Sequence, residues 1–192
     1  ESGLEPGLVA ALVPRGPIDL ASAAHRQGDR AMVESLAAAD LTAMRFRDRI
    51  AHAVRLRIEA AGGREAVRRS AAFFAIPSHA AEGAALIWGT VDRIWAALGD
   101  ESRDINWYTK RATLAAVYSS TLLYWLGDDS PGAEASWEFL DRRIADVMAF
   151  EGAKARFKAS PFARVFAGPL KILERVSAPE RMQDLPGHLP GS

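Results

Sequence analysis

Between Pro77 and Met148 apolar side chains recur at spacings of three and four residues in three successive runs, each bounded by glycine, proline or a short polar residue. Leu86, Ile87, Thr90, Val91, Ile94, Trp95 and Leu98 form the first run, which Pro77 opens and Gly99 closes. Trp107, Arg111, Leu114, Tyr118, Leu122 and Trp125 form the second, between the capping candidate Asp104 and Gly127. Trp137, Leu140, Ile144, Val147 and Met148 form the third, after Ser130 and Pro131. A period near 3.6 puts each run on one face of a helix, and the four-residue turn between the last two makes them antiparallel neighbours. The chain is therefore expected to be all-α.

The upstream half reads the same way with more ambiguity. Pro6, Gly7, Pro14, Gly16 and Pro17 leave room for at most a short helix at Leu8 to Val13. Asp40 is the N-cap candidate for a helix through about Ala61, stopped by Gly62 and Gly63, and a shorter helix follows from Arg64 to Ala75. Residues 45–58 also alternate as a strand would. Phe46, Ile50, Ala53, Val54 and Ile58 nevertheless share one helical face, and no turn residue divides the segment, so helix is the reading.

Composition narrows the chemistry. The 192 residues carry 24 acidic and 24 basic side chains, so no net field steers a polyanion toward the protein. Cysteine is absent, which excludes disulfides, thiolate metal sites and a cysteine nucleophile from this sequence. Leu114 to Leu126, the longest apolar stretch, is interrupted by Ser119, Ser120 and Thr121 and is shorter than a membrane span requires. No signal-peptide pattern is read at the start, and a soluble protein is expected. His25, His52, His79 and His188 stand in no Glu-x-x-His element and are expected to be surface or capping residues. A G-x-S-x-G elbow, a phosphate loop and a G-x-G-x-x-G turn are likewise absent. The expectation is a protein without metal, cofactor or catalytic residues.

The stretch GDESRDINWYTKRATLAAVYSSTLLYWLGDDSP, followed by SWEFLDRRIADVM, carries four elements together: N-W-Y-T-K/R-R, L-A-x-V/I-Y, D-x-S-P and W-x-F-L-x-x-R. In these it resembles the coenzyme Q nine family, accessory proteins of ubiquinone biosynthesis. Weaker similarity runs upstream through RDRIAHAVRLRIEA and IPSHAAEGAALIWGTVDRIW. After Pro131, GAEAS is poorer in acidic and aromatic residues than the family's pattern.

The resemblance implies a helical bundle of the tetracycline-repressor type, dimerising through its C-terminal helices. It divides the chain into a remnant of the helix-turn-helix with its connecting helix (1–38), a lipid-binding and dimerisation domain (39–158), an amphipathic membrane helix (159–178) and a disordered tail (179–192). It also implies a homodimer that binds an isoprenoid quinone or phospholipid and presents a demethoxyubiquinone-type substrate to the di-iron hydroxylase. The setting is peripheral on the cytoplasmic face of a bacterial inner membrane, or on the matrix side in a eukaryote.

Leu86, Thr90, Ile94, Leu114, Val117, Tyr118, Leu122, Leu140, Ile144 and Met148 are the candidates for lining a lipid cavity, which needs apolar area more than a polar handle. Trp107 and Tyr108, with Asp92, Ile94 and Asp104, are the candidates for a patch that binds the hydroxylase. Adjacent helical residues diverge by about 100°, so at least one of the aromatic pair is expected at the surface. The alternative for the pair is a core tryptophan beside a capping tyrosine. Phe162, Val165, Phe166, Leu170, Leu173 and Val176 are the membrane-binding candidates, or else the face of one more helix packed on the dimer.

Arg45, Arg47, Arg49, Arg55, Arg57, Arg64, Arg68 and Arg69 read as a solvated face or as phosphate contacts. A ligand-responsive transcription regulator of the repressor type is the alternative function. Against it, Glu5 to Leu12 holds no Arg, Lys, Asn or Gln to read a base edge, so no nucleic-acid partner is expected.

Overall fold

A computed structural model describes residues 5–159, with side chains as far as residue 150 except that of residue 6. The membrane-binding candidates from Phe162 to Val176 lie outside the described residues, as does nearly all of the chain after residue 158. The described residues form seven α-helices and no strand. These are α1 (Pro6–Leu12), α2 (Pro17–Ala38), α3 (Phe46–Glu59), α4 (Arg64–Phe74), α5 (Pro77–Ala97), α6 (Ile105–Leu126) and α7 (Glu134–Ala159), with a 3₁₀ turn at Pro131–Ala133 before α7.

Most boundaries follow from local chemistry. Prolines stand in the first turns of α1, α2 and α5, where the missing N–H costs no helical bond. Between α3 and α4, Gly62 and Gly63 take φ of +82° and +102°, a region open to glycine and strained for other residues. Asp104 caps α6 by accepting from the Asn106 backbone N–H at 3.0 Å.

The D-x-S-P element proves to be a helix start. Asp128, 6 % exposed, accepts from the backbone N–H groups of Ser130 and Ser136 at 2.8 and 2.9 Å, and Ser130 Oγ accepts from Ala135 N at 3.0 Å. Hydrogen bonds from Ser130 and Ser136 hold the Asp128 carboxyl below its ordinary range. The element thus carries a capping role, with no free group left for chemistry.

One expected boundary moves. Asp40 does not start α3: its carboxylate accepts from Thr42 N and Thr42 Oγ1 at 3.0 and 2.6 Å and caps a turn, and the helix begins at Phe46 with Arg45 as its N-cap. A short acidic side chain stabilises a turn as readily as a helix end, and here the turn takes it.

The core is a single cluster of Met32 and Leu36 from α2, Ala53, Val54 and Ile58 from α3, Val91, Ile94 and Trp95 from α5, Leu114, Val117 and Tyr118 from α6, and Leu140 and Ile144 from α7. In it α5 lies between α2 and α6, and α7 packs on α6 and α3. The segment 45–58 is helical, as its apolar face predicts. By contrast α4 contributes no buried residue. It is held by the Arg68 guanidinium, which donates to Leu126 O at 2.9 Å, and by Phe74, whose Cβ would lie 2.8 Å from a methyl group placed on Gly83.

Candidate functional site: an apolar cleft beside an aromatic cluster

A cleft of about 270 Å³ opens between α3, the end of α5, α6 and the middle of α7. Its floor is Trp95, Leu114, Val117 and Ile144, all buried, and its walls are Phe46, Ile50, Val147 and Met148. Asn106, Thr109, Lys110 and Thr113 complete the lining along α6. The volume sits just under the range of about 300–1,000 Å³ in which small-molecule sites fall.

Of the ten residues expected to line a cavity, Leu114, Val117, Ile144 and Met148 do so here. Leu86, Ile94 and Leu140 are packed in the core, and Thr90 is fully buried in a hydrogen-bonded network. Tyr118 and Leu122 face a second, smaller cavity of about 70 Å³ under α4. Helical periodicity identifies the inward face of each helix. It does not say which inward residues meet a neighbour and which border a gap, so Phe46, Ile50, Trp95 and Val147 escape it.

The aromatic cluster stands on the other side of the start of α6. Trp107 and Tyr108 are both half-buried, and their rings meet edge to face at 4.8 Å. Trp88 lies 5.9 Å from Trp107, and the Arg111 guanidinium lies 4.0 Å from the centre of the Trp107 ring. Arg111 is fully buried and donates to Asp92 at 2.7 Å, to Asp100 at 3.1 Å and to Trp107 O at 3.2 Å. Lys110 donates to Asp100 and Ser102, both at 2.7 Å. Burial works to raise the Asp100 carboxyl, but hydrogen bonds from Lys110, Ser102 and Arg111 outweigh it and hold the group at about 2.

Asp92 and Asp104 flank the aromatic pair, one as the partner of Arg111 and the other as the cap of α6. Ile94 is 0 % exposed and lines neither the cleft nor the surface. Burial in the core removes it from both roles assigned to it.

A third group of polar residues joins α2, α3 and α5. Asp29 stands one turn after His25, and Arg57 from α3 and Thr90 from α5 converge on its carboxylate, both at 2.7 Å. Arg93 reaches the other oxygen at 3.2 Å. Arg57 and His25 are therefore not surface residues: the guanidinium is buried and donates also to His25 O at 3.0 Å. Gly28 leaves the space this needs, since a Cβ there would lie 2.8 Å from Arg57 Nη1 and 3.1 Å from Ala60 O. The solvated-face reading fits Arg45, Arg55 and Arg69, which are exposed and paired to Asp48, Glu59 and Glu65, whereas Arg64 is half-buried over the Trp125 ring at 5.2 Å and Arg49 is half-buried with Nε donating to Met44 O at 3.0 Å.

His25 Nε2 lies 2.8 Å from Thr90 Oγ1, whose single proton is given to Asp29, so the imidazole donates. Burial, then the Arg57 charge, pushes His25 down to about 4. The unfolded chain, with histidine near 6.5, binds more protons between these values, so stability is complete above about pH 6.5 and falls as the pH drops to about 4. Urea unfolding across this window should show a loss of roughly 3 kcal/mol, and His25→Gln should flatten the profile. An unchanged profile in that variant would assign the loss to other groups.

Among the described residues no group of three or more histidines, aspartates or glutamates is placed to hold a metal ion, and no helix is long and apolar enough to cross a membrane.

Residues 80–151 match the family described as COQ9. The mitochondrial ubiquinone biosynthesis protein COQ9 of Rattus norvegicus is 41% identical over 80 residues, which are 42% of this chain and 26% of that protein. The protein of the same title from Homo sapiens is 40% identical over 80 residues, 42% of this chain and 25% of that protein. The Xenopus tropicalis protein is 38% identical over 93 residues, 48% of this chain and 29% of its own length. The matched part of the chain spans about a quarter of the length of these relatives. It covers most of α5, all of α6 and the first two thirds of α7, and with them the cleft floor, the aromatic cluster and the Asp128 cap. Through residues 80–151 the chain is similar to the COQ9 family.

Proposed function

We propose that the protein is a lipid-binding accessory factor of ubiquinone biosynthesis, which holds an isoprenoid quinone precursor and presents it to the di-iron hydroxylase that acts on demethoxyubiquinone. The observation that carries the reading is the apolar cleft, whose floor is built almost entirely from the helices that match the COQ9 family. Each 100 Å² of apolar ligand surface removed from water there contributes about 2.5 kcal/mol. The oxygen chemistry belongs to the partner enzyme, and this chain contributes binding and position.

Trp88, Trp107 and Tyr108 supply the kind of half-buried aromatic anchor that partner surfaces use, with Arg111 behind them to fix the ring of Trp107. A homodimer is part of the same reading. Leu123 and Phe150 are each 67 % exposed on the outward side of α6 and α7, beside Tyr124, which stacks on Phe139 at 4.6 Å. Exposed apolar residues on two adjacent helices are the material of a self-complementary interface. The membrane role belongs to the segment 159–178. The regulator alternative gains no observation of its own.

The test is native mass spectrometry of the purified chain with lipid extraction, which reads oligomer and cargo together. A dimer carrying isoprenoid lipid, or phospholipid in its place, is expected. Protein that stays free of lipid after incubation with prenylated quinone, and ignores liposomes, would refute the reading.

A further inference from the structure

The small cavity under α4 has a chemistry that the quinone reading does not use. Ala21 and Ala24 from α2, Ala61, and Ala66 and Val67 from α4 form most of its wall, and Leu122 borders it from α6. Four of these six side chains are a single methyl group, which leaves the space open. One ordered water needs roughly 10–15 Å³ of such space, so about 70 Å³ admits a molecule of roughly five heavy atoms, too few for a ring with a prenyl chain.

Three polar side chains border the same cavity with donors to spare. Tyr118 is 1 % exposed, and its hydroxyl makes no hydrogen bond among the described residues. A buried hydroxyl in that condition is costly and uncommon. Burial raises the Tyr118 phenol, so it keeps its proton at neutral pH and can donate. Ser70 Oγ on α4 likewise makes no hydrogen bond among the described residues. Arg57 gives Nε to Asp29 and Nη2 to His25 O, which leaves the two protons of Nη1 unassigned, and its guanidinium lies 5.9 Å from the centre of the Tyr118 ring. Charge selects among the ligands these donors could hold. One carboxylate, Asp29, faces two guanidiniums, Arg57 and Arg93, and His25 is neutral, so the cluster keeps one positive charge. An anionic acceptor is therefore favoured over a neutral one.

We propose that the cavity under α4 binds a small aliphatic monocarboxylate of roughly two to four carbons, its oxygens accepting from Arg57 Nη1, Tyr118 Oη and Ser70 Oγ and its alkyl end lying against the alanines, Val67 and Leu122. The site is separate from the cleft and does not depend on what the cleft holds. A ligand there joins α4 to α3 and α6 through Ser70, Arg57 and Tyr118. Because α4 has no buried residue of its own, the ligand fastens a helix that the core does not.

The test uses the full chain with propionate, and with propionamide as its neutral counterpart. Affinity is read by calorimetry, and opening of α4 by deuterium exchange of its amides. Propionate should bind about tenfold more tightly than propionamide, and at about ten times its Kd it should slow exchange in α4 about tenfold. Tyr118→Phe and Ser70→Ala should each weaken propionate about fivefold through the lost hydrogen bond. Ala66→Leu fills the cavity from a helix outside the core, and it should abolish binding while unfolding stays cooperative. Equal affinity for propionamide would overturn the assignment of a carboxylate. Propionate binding that survives Ala66→Leu, or that leaves exchange in α4 unchanged, would place the anion elsewhere on the protein, and no propionate binding to the wild type would overturn the site.

Discussion

Replacing Asp29 by alanine should cost about 3–5 kcal/mol of folding stability, because it leaves a buried guanidinium without its counter-charge. The Asp29 and Arg57 side chains are 1% and 2% exposed, and the pair joins α2 to α3 at 2.7 Å. The same carboxylate also serves Thr90 and Arg93, both on α5, so its loss takes the acceptor from donors on two helices at once. Neutral replacement of both charged partners tests whether the cost comes from the orphaned charge. Asp29→Leu with Arg57→Met should unfold at higher denaturant than Asp29→Ala alone. If the single and double variants lose equal stability, packing and not charge decides the site.

Replacing Arg111 by methionine should cost about 2–4 kcal/mol and also loosen the aromatic cluster. The guanidinium is fully buried between Asp100, itself 3% exposed, and Asp92, with the ring of Trp107 at 4.0 Å. Asp100 keeps Lys110 and Ser102, so it is not left bare, and the loss is smaller than at Asp29. A buried Nη2 with no hydrogen-bond partner among the described residues reduces what Arg111 has to lose. Trp107 loses the cation over its face, worth about 1–2 kcal/mol in a desolvated setting, and its emission should shift with the transition. Arg111→Lys should recover less than half the stability, since a point charge cannot hold two carboxylates and cover a ring. Full recovery by lysine would reduce the role of Arg111 to its charge.

How much of this was legible depended on whether the signal was local. Pro77, Gly99, Asp104, Gly127 and Pro131 each act on the few residues beside them, and all five mark element ends in the structure. Asp40 is equally local but ambiguous, because an aspartate caps a turn and a helix start by the same hydrogen bonds; here it caps the turn, and α3 begins at Phe46 after Arg45. The side chains of Trp107 and Tyr108 leave the helix about 100° apart, yet their rings turn back into contact, so neither is wholly inside nor wholly outside.

The cleft was legible only in part, and for a different reason. Leu86, Ile94 and Leu140 share the periodicity of Leu114 and Ile144, and the difference between core and cleft lies in what faces them from another helix. Phe46 and Ile50 come from a segment whose arginines dominate its reading, and Asn106 to Thr113 come from the polar start of a helix otherwise read for its apolar stripe. Asp29 needs no tertiary knowledge to be paired with His25, which stands one turn before it. What the sequence could not supply was Arg57, 28 residues further along, which turns that pair into the centre of the bundle.

The glycine pair ahead of α4 and the lack of any buried side chain within it bear on how the protein breathes. A helix that surrenders little apolar contact on leaving its place can detach while its neighbours stay assembled. Its amide protons are then free to trade with solvent deuterium far sooner than those of α5 and α6, and the small cavity holding His25 and Tyr118 is uncovered each time it does.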